Sequence, residues 1–129
     1  MGNFYLGVWH SRTAVSDDEA RRQYSLLGAA TSPFREFDSL VYAFYFRLTE
    51  LYPEIDMVPE SDIDASPWAC AMDMSGGYVI MAIRPEEAEA FVPDGLTLAD
   101  QHELVCFDPQ AGKVHLPPHL RAREASAAE

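Results

Sequence analysis

Four histidines and two cysteines, His10, His102, His115, His119, Cys70 and Cys106, are the residues best suited to metal or nucleophilic chemistry. The run His115-Leu116-Pro117-Pro118-His119 has the spacing of half a zinc site. No cysteine pair accompanies it, and two consecutive prolines keep a regular helix from setting both rings on one face. A solvent-exposed segment without metal is expected there. His102 stands where an imidazole would cap a helix end. The stretch Cys106-Phe107-Asp108-Pro109-Gln110-Ala111-Gly112-Lys113 looks like a thiol loop. It lacks the arginine of an anion cradle, and Cys106 falls inside a strand rather than at a helix start, where thiol pKa values drop. Both cysteines lie in apolar, strand-like runs and read as buried free thiols. Asp56, Asp62 and Asp64 resemble part of a calcium loop, without its glycine hinge and closing glutamate. No P-loop, GxGxxG, GxSxG or HExxH pattern occurs. The expectation is a protein with no catalytic residue and no cofactor, not an enzyme.

The elements that would position any site belong to one domain. The chain has 129 residues, 48% hydrophobic and 23% charged, which suits a folded domain with a compact core. No apolar run approaches the roughly 20 residues of a membrane span. The N-terminus lacks the basic start and apolar stretch of a signal peptide, so a cytoplasmic location is expected.

Residues 4–9 read as a first strand, weakened by Gly7. Ser16-Asp17-Asp18-Glu19 fits a capping box opening a helix that runs to about Leu27, with Gly28 near its end. Ser32-Pro33 is expected to open a second helix. In it Phe37, Leu40, Val41, Phe44, Tyr45, Leu48 and Leu51 form one apolar stripe. Residues 53–67 carry three prolines and five acids without a period, and read as a surface loop or short helical turn. Two strands, Ala69 to Met74 and Tyr78 to Ile83, are expected to form a hairpin whose Gly76-Gly77 supplies positive φ. Arg84-Pro85-Glu86-Glu87 starts a third helix, and Pro93-Asp94-Gly95 is expected to break or kink it. Strands at Leu104–Phe107 and Lys113–Leu116 close the domain. The order β-α-α-β-β-α-β-β predicts an α+β fold, a variant of the ferredoxin-like sandwich with helices on one face of an antiparallel sheet. A single domain over residues 1–116 and a frayed tail over 117–129 are predicted.

Charge is the most uneven property of the chain. Residues 1–47 hold five acids and five bases, whereas residues 48–112 hold fourteen acids and one base, Arg84. The formal net charge is −12. Nucleic acids and anionic membranes repel such a surface. The densest cluster, Glu54, Asp56, Glu60, Asp62 and Asp64, leads into Ser66-Pro67-Trp68. Self-repulsion in so dense a cluster opposes folding, while an acidic field speeds capture of a basic partner. Trp68 has two readings, a core residue beside the hairpin or a desolvated anchor for that partner.

Ser66-Pro67-Trp68, Ser75-Gly76-Gly77-Tyr78-Val79-Ile80-Met81 and Leu104-Val105-Cys106-Phe107-Asp108-Pro109-Gln110 give the chain its resemblance to other proteins. Over roughly residues 40–116 it resembles a family of small acidic bacterial proteins with SPW and LVCFDPQ motifs. Some members are encoded beside secreted antibacterial toxins, so the resemblance implies an immunity role and brings no catalytic residues. The expected partner is a cognate toxin domain with a basic active-site cleft. The expected contacts are Glu54, Asp56, Glu60, Asp62, Asp64 and Trp68. The competing expectation is a small-ligand-binding accessory domain or degenerate enzyme with a pocket between helices and sheet.

Overall fold

The computed structural model describes residues 2–29, 34 and 36–121. In chain order the elements are β1 (Phe4–Trp9), α1 (Asp17–Leu26), α2 (Ser39–Leu51), two 3₁₀ turns (Ile55–Met57 and Glu60–Ala65), β2 (Asp73–Ser75), β3 (Tyr78–Ile83), α3 (Pro85–Gln101), β4 (Val105–Asp108) and β5 (Lys113–His115). The five strands form one antiparallel sheet in the order β2-β3-β1-β4-β5. The class is α+β, as the sequence predicts. Without α1 and β5 the connectivity is β-α-β-β-α-β, with β1 between β3 and β4.

Side chains alternate across a strand, and here both sets are apolar. Leu6, Val8, Val79, Met81, Ile83 and Cys106 pack against Val41, Phe44 and Leu48 of α2 and Phe91, Leu98 and Ala99 of α3. Trp9, Tyr78, Val105 and Phe107 point the other way, against Ala20 of α1, Leu27, Leu116 and Leu120. The expectation of helices on one face is therefore corrected: α2 and α3 cover one face, and α1 covers the other. Leaving the second apolar set in water would forgo roughly 25 cal/mol for each Å² buried. Gly7 makes room for α1, since a Cβ there would lie 2.7 Å from Cδ2 of Tyr24. The packed chain also runs beyond residue 116. Residues 118–121 form a helical turn, and Leu120 is fully buried in the second core cluster. Fraying therefore does not begin at Pro117, and residues 122–129 lie outside the described residues.

Local chemistry sets the helix ends. Ser16 Oγ accepts the Glu19 N–H at 3.1 Å, and Gly28 leaves the end of α1 at φ 83°. Asp17 fastens α1 to β5 by accepting from the Val114 N–H at 2.9 Å. That bond, with Lys113 beside it, holds the Asp17 carboxyl below its usual range. The expected helix start at Ser32-Pro33 lies outside the described residues. α2 begins at Ser39, where Asp38 Oδ1 accepts from the N–H groups of Leu40 and Val41 at 2.9 and 3.2 Å. Val41, Phe44 and Leu48 of the apolar stripe are buried, but its ends are not: Phe37 is 70% exposed and Leu51 50%. Pro93 does not break α3, which is continuous from Pro85 to Gln101. Pro93 and Glu89 are both exposed, so water can serve the carbonyl that loses its helical donor.

The hairpin forms, with a first strand shorter than expected, and its glycines serve another purpose. Among the described glycines only Gly28 and Gly112 have positive φ. A Cβ on Gly77 would instead meet the Phe34 carbonyl oxygen at 2.1 Å, and one on Gly76 the Phe37 Cα at 3.0 Å. The turn lies directly under the segment leading into α2, and the Asp38 N–H donates to the Gly76 carbonyl at 2.9 Å.

The LVCFDPQ segment has a structural logic. Val105, Cys106 and Phe107 are buried on alternate faces. The β1–β4 register pairs Gly7 with Phe107, and continuing it would set Tyr5 opposite Pro109, which has no N–H. The Gln110 side chain substitutes for that missing partner. Its Oε1 accepts the Tyr5 N–H, and its Nε2 donates to the Tyr5 carbonyl at 2.8 Å. Asp108 Oδ1 accepts from the Gln110 and Ala111 N–H groups and fixes the turn. Gln110→Ala is predicted to cost about 1 kcal/mol. Urea unfolding measures the cost, and faster hydrogen exchange of the Tyr5 amide locates it.

Candidate functional site

The two 3₁₀ turns carry the densest acids, and their anchoring decides which side chains face solvent. Arg84 holds the end of the second turn. Its guanidinium donates to the carbonyls of Ile63, Asp64 and Ser66 at 3.3, 3.2 and 3.1 Å. It also pairs with Glu86 at 3.0 Å and Glu87 at 3.7 Å. The single base of residues 48–112 thus neutralises carbonyl ends and α3 acids, and not the acids of the turns.

Ser66-Pro67-Trp68 then locks the segment onto the core. Ser66 Oγ accepts the Trp68 N–H at 3.3 Å, and the Pro67 carbonyl accepts the Arg84 N–H at 2.8 Å. Trp68 is fully buried, with its ring 5.0 Å from Phe91 and its indole N–H donating to the Tyr52 carbonyl at 3.0 Å. Of its two readings, the core one holds, and Trp68 offers no exposed anchor.

Glu54 is likewise turned inward. Its carboxylate accepts from the Tyr45 hydroxyl at 2.7 Å and from the Met72 N–H at 3.1 Å, tying α2 to the chain entering β2. Burial, and then the Glu54 carboxylate, push the Tyr45 phenol up to about 12. The folded phenol titrates above its unfolded value of 10.0, so its contribution to stability is intact below pH 10 and is lost as pH rises through about 12. Absorbance titration of phenolate is predicted to show a late step that Tyr45→Phe abolishes and Glu54→Gln moves toward 10.

Asp56, Glu60, Asp62 and Asp64 remain. All four are exposed, and none makes an ion pair among the described residues. Beside them stand apolar side chains that composition did not single out, Met57 at 76% exposure and Ile63 at 37%. Between the turns and the end of α2 lies an apolar cleft of about 200 Å³, lined by Leu51, Val58, Pro59, Ala65 and Pro67, with Asp62 at its edge. Their only signal in the sequence is their position between acids, which does not distinguish exposed from buried.

The remaining chemistry-bearing residues are engaged elsewhere. His10 Nδ1 lies 2.7 Å from Asp38, the acid that caps α2. His102 caps α3 as expected, its Nδ1 2.9 Å from the Leu98 carbonyl. Cys106 and His115 are cross-strand neighbours, and His115 Nε2 lies 2.9 Å from Asp100. Burial pushes the Cys106 thiol up to about 12, far from a thiolate nucleophile near neutral pH. Cys70 is exposed, a correction to its expected burial. Among the described residues no helix is long and apolar enough to cross a membrane.

Comparison of the chain with family models, curated proteins and solved structures finds no match.

Proposed function

We propose that the chain is an immunity protein that neutralises a cognate antibacterial toxin domain by laying its acidic 3₁₀ turns over a basic substrate-binding cleft. The observation that carries this reading is the solvent-facing group Asp56, Glu60, Asp62 and Asp64, which has no cationic partner among the described residues and stands beside exposed Met57 and Ile63. Four exposed carboxylates attract a basic surface from a distance, while the two apolar side chains supply contact area once docked. A toxin acting on an anionic substrate such as RNA, DNA or a nucleotide has a cleft of that character. Met57 and Ile63 take the anchoring role first assigned to Trp68, and Glu54 supports the segment from inside. The SPW and LVCFDPQ motifs that carry the family resemblance hold the scaffold.

A pull-down with the purified protein from its own organism's lysate, washed at low and then high salt, tests this. Recovery of a basic toxin domain that is released as salt rises is the expected result. A toxin retained at high salt would keep the immunity role and remove the acids from its mechanism. The competing reading, a small-ligand domain, draws on a groove of about 380 Å³ between α2 and α3, where Arg47, Tyr52, Asp94 and Gln101 place polar groups. Recovery of a metabolite and no protein would favour it.

A further inference from the structure

The cleft between the 3₁₀ turns and the end of α2 combines two properties that select an occupant. Its walls, Leu51, Val58, Pro59, Ala65 and Pro67, are apolar, and among the described residues that line it Asp62 alone carries charge. The other polar groups there are already engaged. Ser66 Oγ accepts the Trp68 N–H at 3.3 Å, and the Tyr52 hydroxyl donates to Asp94 at 2.7 Å. Asp62 is exposed and makes no ion pair among the described residues.

The charges around the cleft have one sign. Neither Arg84 nor Arg47 lines it. Arg84 is occupied by three carbonyls, Glu86 and Glu87, and Arg47 lines the groove between α2 and α3, with Glu50 at 3.9 Å. Tyr52, Ala65 and Pro67 also wall an adjoining depression of about 130 Å³, which Glu87 and Asp94 border. An approach from that side meets acids as well.

Size and chemistry narrow the occupant. At about 200 Å³ the cleft is smaller than the roughly 300 Å³ at which small-molecule pockets begin, and it has room for one long side chain. Apolar walls give a metal ion no oxygen ligands beyond Asp62. A purely apolar side chain would strip water from that carboxylate without replacing its hydrogen bonds. Lysine and arginine match both features, because their methylene stems lie along apolar surface while the cationic head stays at a wet, acidic rim.

We infer that the cleft receives one lysine or arginine side chain of the partner, with its stem against Leu51, Val58 and Pro67 and its cationic head on Asp62. This inference rests on the proposed immunity role and sharpens it. Asp56, Glu60 and Asp64 attract the basic surface, and the cleft withdraws one cation from the toxin's substrate-binding residues.

Nuclear magnetic resonance titration of the full chain at about 0.02 M salt tests it, with acetyl-Gly-Arg-Gly-amide, acetyl-Gly-Lys-Gly-amide and the norleucine counterpart as probes. At least one cationic peptide should shift the amides of Val58, Asp62 and Ala65 and saturate at millimolar concentration. The norleucine peptide has a comparable stem and no charge, and should bind about tenfold more weakly, the loss of one charge-assisted hydrogen bond. Asp62→Asn should reduce the cationic peptides to the norleucine level, and Ala65→Trp should block all three. Both residues are exposed, so folding should survive. Equal binding of norleucine and cationic peptides, no shifts at these amides, or undiminished binding to either variant would overturn the inference. The immunity role fails separately. If the pull-down recovers no toxin while the cationic peptide fills the cleft, that role falls and the cleft stands. A toxin held equally by the parent chain and Ala65→Trp would overturn the cleft's part in capture and leave the immunity role intact.

Discussion

Trp68→Ala is expected to lower the unfolding free energy by about 4 kcal/mol, close to the whole stability of a marginal domain. The indole is fully buried between Tyr52 and Phe91, with centroid distances of 6.3 and 5.0 Å. Truncation leaves a cavity that these two rings cannot fill without moving α2 and α3. It also removes the donor to the Tyr52 carbonyl, the bond that joins the end of α2 to the entry of the hairpin. Trp68→Phe keeps part of the volume and loses that bond, so a smaller loss of about 2 kcal/mol is expected. Urea unfolding followed by far-UV circular dichroism measures both. If Trp68→Ala unfolded like the parent chain, the core placement of the indole would be wrong.

Gly77→Ala is the second large effect, expected at about 3 kcal/mol. The atoms a Cβ would strike, the Phe34 carbonyl oxygen at 2.1 Å and its carbon at 2.7 Å, are backbone and cannot rotate away. Either the β2–β3 turn or the segment entering α2 must shift. That shift strains the Asp38 N–H bond to Gly76 and the cap that Asp38 provides. Gly2→Ala is the control, because no atom lies within 4 Å of its added Cβ. In a thermal melt the first variant should lose about 10 °C and the second none.

The features legible in the sequence are those set by neighbouring residues or by strand and helix periods. The Ser16 cap of α1 needs only the N–H of Glu19 three residues on. The α+β order follows from alternating strands and the 3.6-residue period through Val41, Phe44 and Leu48. What escaped depends on residues distant in the chain. β1 is apolar at both parities, and which helix covers which parity is decided only when α1 crosses to the far face of the sheet. The composition of Pro93-Asp94-Gly95 signals a break, yet exposure of Glu89 and Pro93 lets the helix continue. Glu54 and Asp56 are both acids of one loop. Only the arrival of Met72 and Tyr45 makes the first an internal acceptor and leaves the second in water. For the same reason the apolar side chains beside the acids are Met57 and Ile63, while the more conspicuous Trp68 is core.

The proposed capture of a basic partner by four exposed carboxylates is open to a direct test by association kinetics. The basic domain recovered by the protein would be mixed with wild-type chain and with the variant combining Asp56→Asn, Glu60→Gln, Asp62→Asn and Asp64→Asn. Rates would be measured at about 0.02 and 0.15 M salt, across which the Debye length shortens severalfold. The wild-type rate should fall at least about tenfold with added salt, and the variant should be slower at low salt and nearly insensitive to salt. The variant should melt no lower than the parent chain, since these acids make no ion pair among the described residues. Equal rates and equal salt dependence for the two proteins would rule out a role for these carboxylates in capture.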